Sequence, residues 1–156
     1  MGLDMYLSEK HWHRVCDEDK LKALREILDV DALHVGEMLV TTEVEHIYWR
    51  KVNAVHGWFV DNIQNGEDDC GEYPVAVEDL QKLKEVCVQV IDDPEMAEEL
   101  LPARSGCFFG DDSYDEYYFN DLHHTIANIN RLMDHVALQR LTDPDYVPRL
   151  IYQSSW

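Results

Sequence analysis

Six apolar residues, Tyr118, Leu122, Ile126, Ile129, Met133 and Val136, recur at intervals of three and four, so on a 3.6-residue helix they share one face. A stripe of that length commits the chain around it to one long helix, which is stable only if other elements cover its apolar side. Ser113 followed three residues later by Glu116 has the form of a capping box and marks the expected start. With 156 residues the chain can bury roughly 70% of the surface its unfolded form exposes, so its core needs neither a metal nor a disulfide.

The elements available to cover that helix are partly legible. "GLDMYLS" alternates Leu3, Met5 and Leu7 with polar neighbours, the period of a half-buried strand. Leu21, Leu24, Ile27 and Leu28 follow at helical spacing behind Asp17, Glu18 and Asp19, whose charges suit a helix start. From Leu33 to Val40 an apolar run broken by Gly36 leaves strand and loop both open. Thr42 with Glu45 forms another capping-box pattern, and Val44, Tyr48, Val52, Val55, Phe59 and Ile63 continue it as a helix expected to end at Asn65-Gly66. "EYPVAV" reads as a brief extended segment. Leu80, Leu83, Val86, Cys87, Val90 and Ile91 define a further helix, and Asp93-Pro94 opens a short helical piece that closes at Pro102. "SGCFFG" reads as a strand or tight turn. "TDPDYVPRLIYQSSW", with two prolines, reads as a docked extension or edge strand. The expected fold is α+β, a helix-dominated single domain over residues 1–140 with a small sheet, followed by a docked extension over 141–156.

Charge narrows the function classes. The chain has 32 acidic and 13 basic residues, a net charge of −19. Residues 61–121 alone hold 18 Asp and Glu against Lys82, Lys84 and Arg104, a net of −15. A field of that sign opposes direct binding to a phosphate backbone and favours encounter with basic partners. Cys16, Cys70, Cys87 and Cys107 are 54, 17 and 20 residues apart, which fits neither a zinc knuckle nor a redox pair and points to reduced thiols in a cytoplasm. Neither an apolar run long enough to span a membrane nor a secretion-signal pattern is expected from this sequence, and Tyr6 spoils the Met1-Gly2 myristoylation pattern.

"DNIQNGEDDCGE", residues 61–72, has calcium-loop spacing at Asp61, Asn65, Gly66, Glu67, Asp69 and Glu72. Ile63 occupies a ligand position and Tyr73-Pro74 stands where the exiting helix should run, so the stretch reads as an acidic rim. Among eight histidines no pair has the one-turn spacing of a helical zinc site; "HWH" at 11–13 and His123-His124 could each donate only one ligand, and His135 lies about 16 Å from His124 on a helix. No metal ligand set and no cofactor is therefore assigned from the sequence. On the helix expected across 42–65, Trp49, Asn53 and His56 at i, i+4 and i+7 stack on one face, an indole, an amide and an imidazole suited to a polar ligand or to acid–base work. The alternative is that all three are satisfied core-edge residues. Arg50 and Lys51 beside them are a basic pair in an acidic chain. "GDDSYDEYYFND" interleaves Asp111, Asp112, Asp115, Glu116 and Asp121 with Tyr114, Tyr117, Tyr118 and Phe119, a composition suited to a protein-binding surface, although the helix start also accounts for several of these acids and Tyr118 belongs to the apolar stripe. No nucleophile elbow, phosphate loop or metalloprotease motif occurs.

The blocks "MGLDMYL", "YWRKVNAVHGWFVDNIQNGEDDCGEYPV" and "SGCFFGDDSYDEYYFNDL", about a third of the chain, resemble a family of small acidic proteins encoded by bacteriophages and bacteria. Some members of that family carry the label phosphoglycerate kinase, which a chain of this length without glycine-rich phosphate loops does not support. The resemblance implies a phage or prophage origin and no particular reaction. The residues beyond Val136 lie outside it. Together with the charge, it leads to a small accessory protein that binds a host or defence-system protein, occupying a basic nucleic-acid-binding surface as a counter-defence inhibitor. The alternative is a small enzyme or ligand-binding protein built around Trp49, Asn53 and His56. A self-associating structural protein is the third reading.

Overall fold

The computed structural model describes residues 2–28 and 38–156. The fold is α+β and helix-dominated, 49% helix and 23% strand, with a four-stranded antiparallel sheet. Contacts divide the chain into two compact units, one made of Met1–Glu9 with Glu45–Trp156, the other of Lys10–Val44. In chain order the elements are β1 (Asp4–Val15), α1 (Glu18–Leu28), β2 (Met38–Arg50), α2 (Asn53–Asn62), β3 (Glu72–Val75), α3 (Val77–Asp92), a 3-10 turn (Pro94–Met96), α4 (Ala97–Leu100), α5 (Glu116–Thr142) and β4 (Leu150–Ser155). Among the described residues no helix is long and apolar enough to cross a membrane.

The strand order is β2-β1-β4-β3. β4 pairs antiparallel with β1, Leu7 opposite Tyr152 and Glu9 opposite Leu150, and also with β3, Tyr73 opposite Tyr152. The edge position expected for the tail is thus replaced by an interior one: two prolines keep 143–149 out of a helix, and the strand begins only after Pro148. Leu3, Met5 and Leu7 are buried, as the alternation in "GLDMYLS" predicts, and so are Leu150 and Tyr152 of β4.

The largest correction falls on 42–52. The helix expected there is strand, and α2 begins only at Asn53. Thr41, Thr42, Val44, Ile47, Tyr48 and Trp49 form a β-branched and aromatic run in which Ile47 and Trp49 are buried while Val44 and Tyr48 are exposed, so period two replaces the period of 3.6. Lys51, with φ +60°, makes the break, and its amide donates to Leu3 O at 2.8 Å. α2 is buried along almost its whole length and ends at Asn62 with Ile63 as its C-cap, short of the expected Asn65-Gly66; there the chain turns back, and Gly66, at φ +83°, donates to Val60 O at 2.8 Å.

α5 carries the anticipated stripe: Tyr118, Leu122, Ile129 and Val136 are buried, with Ile126 and Met133 packed against the core. Its cap is Asp115 and not Ser113; the Asp115 carboxylate accepts from the amides of Tyr117 and Tyr118 at 2.9 and 3.2 Å. Ser113 instead closes a turn on Asp111. α3 packs against α5, and Phe59 of α2 stacks on Tyr152 of β4 with ring centroids 3.9 Å apart. "SGCFFG" is a turn, with Phe109 N donating to Gly106 O.

In the unit Lys10–Val44, Asp17 caps α1 through the Lys20 amide, Lys10 pairs with Glu43 at 3.7 Å, and His13 meets Thr42 Oγ1 at 3.1 Å. The open reading of Leu33–Val40 lies outside the described residues up to residue 37; strand begins at Met38.

Candidate functional site

The face expected to join Trp49, Asn53 and His56 does not form, because Trp49 lies on β2 and the other two on the first turns of α2. All three are buried, at 3%, 5% and 0% exposure, and each has partners. Trp49 Nε1 donates to Thr125 Oγ1 at 3.0 Å, which ties β2 to α5. Asn53 accepts from the Arg104 amide at 2.9 Å and donates to Asp111 O at 2.8 Å and Phe109 O at 3.4 Å, so one amide holds the whole 104–111 loop.

His56 is the centre of a separate polar chain. Its Nε2 lies 2.9 Å from Asp68 Oδ2 and its Nδ1 2.7 Å from Tyr152 Oη. A carboxylate only accepts, so the neutral ring donates through Nε2, and Nδ1 accepts a hydrogen bond from the Tyr152 hydroxyl. Burial pushes the His56 pKa down, against the pull of Asp68. Burial, joined by the charge of Asp68, pushes the Tyr152 hydroxyl well up. Asp68 also accepts from Trp156 Nε1 at 3.1 Å. The acidic rim is therefore a set of engaged carboxylates: Asp61 pairs with Arg104, Asp68 serves His56 and Trp156, and Asp69 accepts from the Gly71 amide and the Tyr73 hydroxyl. The last two contacts hold the Asp69 carboxyl below its ordinary range.

Asp111, Asp115 and Tyr117 line a cleft of about 260 Å³ that opens between the start of α2 and the start of α5. Arg50, Lys51, Val52, Asn53 and Ala54 form one wall, and Gly110, Asp111, Ser113, Asp115, Tyr117, Tyr118, Asp121 and Leu122 the other. Asp112 accepts from Ser105 Oγ at 2.6 Å, and Glu116 opens α5. Tyr114 is exposed, its ring edge-on to Tyr118 and its hydroxyl accepting from the Ala103 amide, and Tyr117 is more so, at 79%. The cleft is preformed. Lys51 at φ +60° and Gly110 at φ +98° meet across it, such that a Cβ on Gly110 would lie 3.1 Å from Lys51 Cβ.

Asp121, the last acid of the "GDDSYDEYYFND" cluster, lies further along α5 and is the most informative lining residue. Burial pushes its carboxyl pKa up, which marks a partly desolvated carboxylate that a cation would stabilise. The acid–tyrosine cluster marked it in the sequence, but not its partial burial. No protein-family model matches this chain, and neither a curated protein nor a solved structure shows significant similarity to it.

Proposed function

We propose that this is a non-catalytic accessory protein that binds a basic segment of another protein at the cleft between α2 and α5. The observation that carries the reading is the pairing of a cleft with a partly buried carboxylate, Asp121, beside the rim acids Asp111 and Asp115 and the exposed ring of Tyr117. A lysine or arginine side chain entering it would neutralise Asp121 while its stem packs on Tyr117. Asp112, Tyr114 and Glu116 extend the same surface outward. The net charge of −19 steers such a partner in from a distance. The resemblance to phage-encoded acidic proteins makes a host or defence-system protein the partner, its nucleic-acid-binding surface the segment covered, and the host cytoplasm the place.

The test is a pull-down from bacterial lysate with the wild-type chain and with an Asp111/Asp112/Asp115→Asn variant. Asparagine keeps the cap of α5 and removes the charge. A basic protein retained by the wild type and lost from the variant supports the reading; equal retention by both contradicts it.

A further inference from the structure

We propose that Glu9, His46 and His135 form a binding site for a divalent transition-metal ion of the zinc class. The proposal is independent of the cleft and of any partner. One carboxylate oxygen and one nitrogen from each imidazole lie within 4.8 Å of one another, on three different elements: β1, β2 and α5. Glu9 Oε2 is 3.0 Å from His46 Nε2, and the rings of His46 and His135 are 5.3 Å apart at 50°. The side chains are enclosed, with Glu9 3% and His46 12% exposed.

Two imidazoles and a carboxylate are the donors of three-ligand zinc centres, and imidazole nitrogens disfavour calcium and magnesium, which take oxygen. Bonds of about 2.0–2.1 Å in a tetrahedron put neighbouring donors about 3.3 Å apart. The Glu9–His46 edge already has nearly that length, and an edge at the 4.8 Å limit shortens by about 1.5 Å through side-chain adjustment to close a tetrahedron of that size.

A fourth residue sharpens the assignment. Tyr146 Oη donates to Glu9 Oε1 at 2.5 Å, on the carboxylate oxygen that does not face His46. That bond fixes the carboxylate plane and leaves Oε2 aimed at the imidazoles, the work an outer-shell hydrogen bond does for a metal ligand. Ligands held by two strands and a long helix are positioned by rigid elements and not by a loop. Three protein ligands leave one coordination position for water or for a small anion. The ligands are separated by 37 and 89 residues, so no spacing rule applied to the sequence finds them.

The test uses the full chain, stripped with a chelator and carrying Cys16→Ser and Cys107→Ser so that the exposed thiols do not compete. Zinc chloride is titrated calorimetrically, and cobalt chloride is followed by its visible absorption. The expected result is one ion per chain. His135→Ala should weaken zinc binding by at least about 100-fold and Tyr146→Phe by about 10-fold, the range for losing a ligand's support, while His124→Ala leaves it unchanged. Circular dichroism checks that each variant folds; if His135→Ala does not, His46→Gln takes its place. Equal binding by wild type and the ligand variants, or only weak binding with no defined stoichiometry, would overturn the assignment.

Discussion

The imidazole of His56, fully buried on α2, reaches Asp68 at 2.9 Å across the turn that ends that helix, and through its other nitrogen meets Tyr152 of β4 at 2.7 Å. One ring thereby joins a helix, the acidic rim and an interior strand. A contact of that kind has a measurable signature, because each nitrogen has a designated partner and loses it separately.

Asp68→Ala leaves a buried N–H without an acceptor, and Tyr152→Phe leaves a buried nitrogen without a donor, so each should cost about 1–3 kcal/mol in urea unfolding. The double variant should cost clearly less than the sum, since both act on one ring. Simple additivity would show that the chain is not a unit.

The pH dependence follows from the direction of the His56 shift. Burial lowers its folded pKa, so the unfolded chain, with an ordinary value of about 6.5, takes up a proton that the folded chain resists. More protons bound when unfolded means that stability rises with pH through this window. The His56 contribution is therefore fully present above about pH 6.5 and is lost as the pH falls from there towards the lower folded value. Urea midpoints between about pH 7.5 and 5 should show the decline, and His56→Gln should flatten it.

Asn53 is the clamp of the cleft. Asn53→Ala removes its bonds to Arg104, Phe109 and Asp111 and should cost about 2–3 kcal/mol, with the Arg104 amide losing protection in hydrogen exchange. Gly110→Ala tests the same wall from the other side. At φ +98° and 3.3 Å from Lys51 O, an added Cβ should cost about 1–3 kcal/mol.

Asp121 should trade stability for binding. Its carboxyl is pushed up by burial, so the ionised form is held at a cost at neutral pH. Asp121→Asn should raise stability by about 0.5–1 kcal/mol while weakening capture of a basic partner. Loss of both stability and binding would make it a structural residue.

The sequence was legible where one periodicity dominated. The stripe of α5 and the alternation of β1 could be read from spacing alone, and Asn65-Gly66 marked the turn that follows α2. It misled at 42–52, where apolar residues at intervals of three and four coincide with an alternation at Ile47 and Trp49, and β-branched residues tip the balance to strand. That one misreading carried Trp49 onto the wrong element and produced a three-residue face that does not exist. Asp68, Tyr152 and Trp156 were invisible as partners of His56 for a different reason: the tail enters the sheet between β1 and β3, a placement set by tertiary packing. The acids and tyrosines of 111–117 were legible as a group, but the cleft behind them needed the start of α2 to be located first.

The most direct test of the proposed binding role is the dissociation constant of the captured partner measured against sodium chloride concentration. Contacts made by Asp111, Asp115 and Asp121 predict weakening of about tenfold or more from low salt to about 0.5 M, and a flatter dependence for the Asp111/Asp112/Asp115→Asn variant. A dissociation constant that does not change with salt, or the same slope for both proteins, would contradict recognition through the acidic cleft.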